Sequence, residues 1–376
     1  MKSRSSFVLF AVVCGLLAVA AYLLIFWYPL MGNRAAVEEM APEDLSSSQA
    51  EISADPFAED AFVQEGLADL SSSRFLNLKV LSVAEVEGVK VRTRTGWIEN
   101  PTRQVRQSVR IHEPIITDEA IFPAVIFVPG GSGNGRTFDA AREGEASQAD
   151  LLAANGIVVI TYSPLGTEEN DTEPFDHQGY ADQDGLAAII TATKSLTTVD
   201  ARQIGVASFS YGITGASGAL SRYPGLGVVF LVDWEGPSSR EYTTFDCQGA
   251  TAIPEGEEDT RVSSISCEDD TFWAEREAME MIADAHVEYY WRIQTKKDHA
   301  QSTYGHTLEM INAAVGTIPW VRVNDGEVNA TYATDKDIPV ASMKNATIET
   351  SVFPAIVELI FFPALAEDWF RMEEWE

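Results

Sequence analysis

Ser210 lies at the centre of Ser208-Phe209-Ser210-Tyr211-Gly212, a small-x-Ser-x-Gly turn between the apolar run 204–207 and the small-residue stretch 213–220. A strand turning this sharply into a helix needs small residues two before and two after the serine. The strained turn then lifts the hydroxyl clear of the backbone as a nucleophile. Ser208 stands where glycine is usual. The bland alternative is an ordinary strand-to-helix loop with an N-capping serine. Attack on a carbonyl also needs a base, an acid that orients it, and backbone donors for the oxyanion. Pro129-Gly130-Gly131-Ser132-Gly133 follows another apolar run, and it lacks the Gly-Lys-Ser/Thr ending of a phosphate-cradling loop. Its expected donors are the N–H of Gly131 or Ser132, with the Tyr211 N–H completing the pair. The segment from Gln294 to His306 holds Asp298, His299 and His306. His306 follows a glycine at the start of a helical pattern, so it can fold back over strand ends. A helix N-terminus disfavours imidazolium, and a carboxylate such as Asp298 would offset that. The bland reading of Asp298 is a surface carboxylate beside Lys296 and Lys297.

The elements that must position these residues follow from periodicity. Residues 76–83, 89–95 and 105–111 alternate as half-exposed strands. The runs 124–128, 157–160, 204–207, 228–232, 289–294 and 320–323 are apolar enough for buried parallel strands. Helical patterns at 145–154, 182–196, 213–222, 272–285 and 307–315 lie between them. Strands alternating with helices predict an α/β fold: a mostly parallel, doubly wound sheet with helices on both faces. Such a sheet binds ligands beyond the carboxyl ends of its strands, where the motifs above fall.

From about Phe75 onward the chain resembles the α/β-hydrolase superfamily, most nearly its dienelactone-hydrolase, acetyl-xylan-esterase and prolyl-oligopeptidase-like group. The likeness rests on the elbow at Ser210, the glycine loop at 129–133 in place of the family's His-Gly-Gly loop, and the chain order Ser, Asp, His. It implies Ser210 as nucleophile and Asp298 as acid, just past the strand before last. The family's base lies after the last strand, yet no histidine follows His306. His306 is therefore the expected base and His299 the alternative; Asp233 and Glu235, after the strand that follows the elbow, are rival acids. The resemblance implies a serine hydrolase cleaving carboxylic esters of small molecules through an acyl-enzyme, with no metal or organic cofactor. A peptidase of the same fold, or a catalytically inactive fold serving as a binding module, are the alternatives. A cap insertion is expected at 238–270, with Tyr242, Phe245 and Trp273 lining a pocket; otherwise this stretch is a surface excursion.

Composition sets the context. A net charge of −31 and a pI near 4.4 argue against a nucleic-acid partner. Phe7–Leu30 is an uncharged apolar run preceded by Lys2 and Arg4, long enough to span a bilayer. It predicts an N-terminal membrane anchor over 1–31 with the remainder extracytoplasmic; secretion after signal cleavage is the alternative. Residues 32–73 read as an acidic flexible linker and 74–376 as the hydrolase domain. Cys247 and Cys267 are expected to pair outside the cytoplasm. Asn170, Asn329 and Asn345 begin Asn-x-Thr triplets. The acids between Thr167 and Asp184 suggest a solvated loop, with a calcium site as the sharper alternative.

Overall fold

Strict alternation along the central strands decides the architecture. In β4 (Phe122–Val128), Ala124, Ile126 and Val128 point to one face and Val125 and Phe127 to the other, and all are buried. Two apolar faces demand helices on both sides. The computed structural model describes residues 67–116, 120–131, 133–140, 146–167, 170, 174–244, 247, 266–295, 304–338 and 351–361. The chain divides into Met1–Asp60 and Ala61–Glu376, and every described residue belongs to the second unit. The predicted anchor, Phe7–Leu30, lies outside the described residues. Among those described, no helix is long and apolar enough to cross a membrane.

Ten strands form one sheet in the order β1-β2-β3-β5-β4-β6-β7-β8-β9-β10. They are β1 (Leu76–Val86), β2 (Val89–Glu99), β3 (Arg106–Ile115), β4, β5 (Val158–Tyr162), β6 (Val199–Phe209), β7 (Phe230–Trp234), β8 (Tyr289–Ile293), β9 (Trp320–Val323) and β10 (Gly326–Glu327). The first three pair antiparallel, β3 joins β5 antiparallel, and β5 through β9 run parallel. From β4 the chain crosses to β5 on one side, then returns past β4 to β6 on the other. That reversal falls at the carboxyl end of β4, where sheets of this kind bind their ligands.

The helices are α1 (Arg136–Asp139), α2 (Gln148–Ala154), α3 (Tyr180–Thr193), α4 (Gly212–Arg222), α5 (Arg240–Thr243), α6 (Asp270–Ala274), α7 (Ala278–Ile282), α8 (Gly305–Ala314) and α9 (Phe353–Phe361). On one face α3, α4 and α8 cover Ile126, Ile160, Val206 and Tyr290; on the other, α1, α2 and α9 cover Phe127, Val159, Phe209 and Trp291. Phe127 meets Phe138 and Phe209 edge-on at 5.0 and 5.2 Å. Burying each such ring contributes about 2–3 kcal/mol.

Four differences from the sequence reading have local causes. The helix expected over 272–285 is broken into α6 and α7, because Arg276 turns inward and donates to the carbonyls of Phe272, Asp176 and His177. The first helix of the 145–154 pattern begins at Gln148, since the Ser147 hydroxyl accepts the Asp150 N–H at 3.1 Å and caps it. Helix α9 was not predicted; its Ala355, Ile356 and Leu359 seal the second core. Residues 67–73, read as linker, lie against the domain: the Ala68 N–H donates to the Tyr223 hydroxyl at 3.0 Å and Leu70 packs on the core.

Candidate active site

Ser210 joins the end of β6 to the start of α4 with φ of 52°. This left-handed backbone costs a serine about 1–2 kcal/mol, so the surroundings must hold it. Its N–H donates to the Trp234 carbonyl at 2.8 Å, and its carbonyl accepts the Ile213 N–H at 3.1 Å. The glycine requirement is visible in space. A Cβ on Gly212 would lie 2.5 Å from the Val128 oxygen, and one on Gly130 would lie 2.3 Å from the Phe209 oxygen and 2.7 Å from the Ser210 Cβ. The turn after β4 therefore rests directly on the elbow. Ser208 replaces the usual glycine without clash; it is wholly buried and its hydroxyl donates to Val232 O at 3.4 Å. The Gln178 amide pins the glycine turn through Pro129 O at 3.2 Å. Of the expected donor positions, Gly131 is exposed and next to Gly130 in the chain, Tyr211 follows Ser210 in the chain, and Ser132 lies outside the described residues.

His306, in the first turn of α8, is wholly buried. Its Nδ1 lies 3.1 Å from the Gly236 carbonyl and 3.0 Å from Arg292 Nη2. The Tyr242 ring, from α5, faces the imidazole at 5.5 Å. Gly305 leaves room for it: a Cβ there would collide with the Tyr242 hydroxyl. Arg292 comes from β8 and is also wholly buried. It pairs with Asp233 from β7 and donates to Gln294 Oε1 at 3.0 Å and Thr307 Oγ1 at 3.2 Å. Sequence reasoning missed Arg292. The signal was present, since a charge inside an otherwise apolar strand must be paired.

The rival acids have structural partners. Asp233 accepts from Arg292, from Tyr290 OH at 2.9 Å and from the Gly236 N–H at 3.2 Å. Glu235, with φ of 51°, accepts the Thr295 N–H at 2.9 Å and the Thr295 hydroxyl. Asp298 and His299 lie outside the described residues, in the segment 296–303 that leaves the carboxyl end of β8. Immediately after β9, where the resembled family carries its base, stands buried Asn324. Its amide mimics a peptide: Oδ1 accepts the Gln294 N–H and Nδ2 donates to the Gln294 carbonyl, both at 2.9 Å.

Beside the elbow, His177 and Gln178 both adopt positive φ. Asp182 holds this loop by accepting the Gln178 and Leu165 N–H groups at 3.0 and 2.9 Å. Burial, reinforced by neighbouring Asp176, pushes the Asp182 carboxyl up to about 8. Burial and then Arg276 push His177 down to about 4, which leaves it neutral at pH 7. Of the acids expected in a solvated loop, Asp182 and Asp184 are wholly buried and Asp176 nearly so. Asp184 binds Tyr223 OH at 2.6 Å and Arg222 at 2.8 Å. Asn170 is buried and donates to Ser163 O at 2.6 Å.

Cys247 and Cys267 form the expected disulfide, with Cα atoms 5.0 Å apart. Closing a loop of this size contributes about 3 kcal/mol. Phe245 lies outside the described residues. Trp273, expected to line a pocket, is instead wholly buried: its indole donates to Ser266 O at 2.9 Å and its ring meets Phe272. Among the other histidines, His286 is exposed. His112, on β3, is buried between Asp139 (2.9 Å) and Asp150 (2.7 Å).

The strand reversal beside β4, the left-handed serine after β6 and the glycine turn resting on it are the features that the resemblance to α/β-hydrolases implies. No family model matches the sequence, and no curated protein does. Among solved structures, an acetyl xylan esterase from Paenibacillus sp. R4 is similar at 11% identity and TM-score 0.47, over 70% of this chain and 85% of that one. Prolyl oligopeptidase B from Galerina marginata is similar at 12% identity and TM-score 0.47, over 72% of this chain and 37% of that one. A puromycin-hydrolyzing peptidase from Mycobacterium tuberculosis gives 13% and 0.45, over 62% and 35%. The chain thus spans about a third of the length of these peptidases.

Proposed function

We propose that this chain is a serine hydrolase that cleaves carboxylic esters of small molecules through an acyl-enzyme. The observation that carries the reading is Ser210 held at φ of 52° with the Gly130–Gly131 turn packed on it. Strain of this kind persists at functional positions because the surroundings over-determine it. Ser210 Oγ attacks the ester carbonyl, and the Gly131 and Tyr211 amides hold the oxyanion, with Ser132 as a further donor. His306 takes the serine proton on Nε2. This needs the tautomer whose Nδ1–H is donated to Gly236 O, and not the one in which Nδ1 accepts from Arg292 Nη2. The alcohol leaves with that proton, and water then resolves the acyl-enzyme by the same base. Asp298 is the proposed acid, and His299 is the alternative base.

The inactive-module reading has its own support. Asn324 occupies the position after the last parallel strand, and a guanidinium rather than a carboxylate meets His306 Nδ1. Turnover separates the readings. The full-length protein is offered p-nitrophenyl acetate and butyrate beside alanine p-nitroanilide, with Ser210→Ala as control. Ester turnover that Ser210→Ala abolishes supports the proposal. Preferential anilide turnover favours a peptidase, and no turnover by folded protein favours the binding module.

The reading includes attachment to the outer face of a membrane through Phe7–Leu30. The Cys247–Cys267 disulfide supports an oxidising compartment. Protease added to intact cells is expected to digest the domain while leaving the anchor; full protection would contradict this, and release into the medium would indicate signal cleavage.

A further inference from the structure

Helix α1, which follows the glycine turn, is only four residues long. A single helical turn does not hold itself in water, so its place is set by what its side chains meet. Turn and helix are closely tied. The Gly133 N–H closes the turn onto Gly130 O at 2.8 Å, the Asn134 side chain accepts the Arg136 N–H at 2.9 Å, and Gly135 O accepts the Phe138 N–H at 3.2 Å. Gly135 also lies against the end of β5, where a Cβ would stand 2.7 Å from Tyr162 N. These contacts leave little slack between α1 and the turn.

Two side chains fix α1. Phe138 is buried, with its ring 5.0 Å from Phe127 and 4.6 Å from Phe209, the residue before Ser210. Asp139 is met by three groups of the sheet. Arg110 Nη1 at 2.8 Å and His112 Nε2 at 2.9 Å come from β3, and the Thr161 hydroxyl of β5 donates to it at 3.2 Å. The side chains of Asp139 and His112 are 6% and 2% exposed. Burial works against charge on His112, but Asp139 and Asp150 outweigh it. Ring burial is non-directional, whereas charged hydrogen-bonding groups are directional. Asp139 therefore sets where along the sheet the helix rests.

We propose that Asp139 is a positioning residue for the reaction: clamped to β3 by Arg110 and His112, it holds α1 and, through α1, the turn that carries the Gly131 oxyanion donor. The inference rests on the hydrolase reading of that turn. Asp150 supplies an internal control. It meets the other nitrogen of the same imidazole at 2.7 Å, but from α2, a separate element.

Asp139→Asn keeps the shape of the side chain and removes its charge, and Asp150→Asn does the same at the other nitrogen. In the full-length protein, hydrogen exchange on peptides spanning 129–135 is expected to quicken by about tenfold in Asp139→Asn and to stay at the wild-type rate in Asp150→Asn. On p-nitrophenyl acetate, kcat of Asp139→Asn should fall by about 10–100-fold with KM within about twofold of wild type, because a displaced donor is missed chiefly in the transition state. Asp150→Asn should keep its kcat. Both variants weaken the same buried cluster, so a merely structural role would move the two together. Arg110→Gln leaves the histidine pair in place and should give a smaller change in the same direction, which decides the matter if Asp139→Asn does not fold. An unchanged turn, or equal effects of the two Asn variants, would overturn the proposal. A turn that loosens as expected in a protein whose wild type turns over no ester would instead overturn the hydrolase reading and leave the anchor standing.

Discussion

Asp233 and Arg292, on adjacent strands β7 and β8, form an ion pair in which both side chains are wholly buried. Arg292 then reaches His306, so the pair underlies the candidate base. Removing one partner leaves a buried charge uncompensated, which costs about 3–5 kcal/mol. Asp233→Asn and Arg292→Met are each expected to lose that much in urea unfolding. The double variant should lose clearly less than the sum, and additive losses would show that the pair does not act as a unit.

The backbone at Ser210 gives a second test. Glycine tolerates φ of 52° and alanine does not. Ser210→Gly is expected to be more stable than Ser210→Ala by about 1 kcal/mol, with neither variant active. Equal stabilities would mean that the turn relaxes on substitution and stores no strain.

Gly130 lies between the proposed oxyanion turn and Ser210. Its substitution forces a Cβ into the Phe209 carbonyl and the Ser210 Cβ, so the turn must move. Gly130→Ala is expected to lower kcat by about 10²–10³, the effect of losing one oxyanion donor, with the circular dichroism spectrum unchanged. An unchanged kcat would remove this turn from the mechanism.

Stability should fall as pH rises through neutrality. For His112, burial alone works against the charged form, but the hydrogen bonds and charges of Asp139 and Asp150 outweigh it and raise its pKa. Its contribution is complete below the ordinary histidine value and is lost as pH passes the raised one. Asp182, pushed up to about 8, favours the folded state when protonated, so its penalty grows between the ordinary carboxyl value of 3.8 and about 8. Both groups act in the same direction. Tm is expected to decline between about pH 6 and 8.5, with His112→Gln and Asp182→Asn each flattening the slope. A Tm that rises over this range would contradict the assignment.

What the sequence made legible was local. The elbow imposes small residues within five positions, so Ser208, Ser210 and Gly212 announced themselves. The parallel strands are buried on both faces and read as apolar runs. The disulfide followed from two cysteines bracketing one excursion. What stayed hidden depends on distant pairing. Arg292 sits in Tyr-Tyr-Trp-Arg-Ile, where only its partner on β7 explains a buried charge. Asn324 is an ordinary polar residue until it is seen bridging the Gln294 backbone. Asp182 and Asp184 read as solvent-facing acids because the N–H groups, Tyr223 and Arg222 that hold them come from other elements. The break between α6 and α7 likewise required the carbonyls that capture Arg276.

An activated serine is the central claim, and a fluorophosphonate probe measures it most directly. The account predicts that the full-length protein is labelled at Ser210, and that labelling disappears in Ser210→Ala and in His306→Ala. Folded wild-type protein that resists the probe, or a His306→Ala variant that labels as fast as wild type, would contradict it.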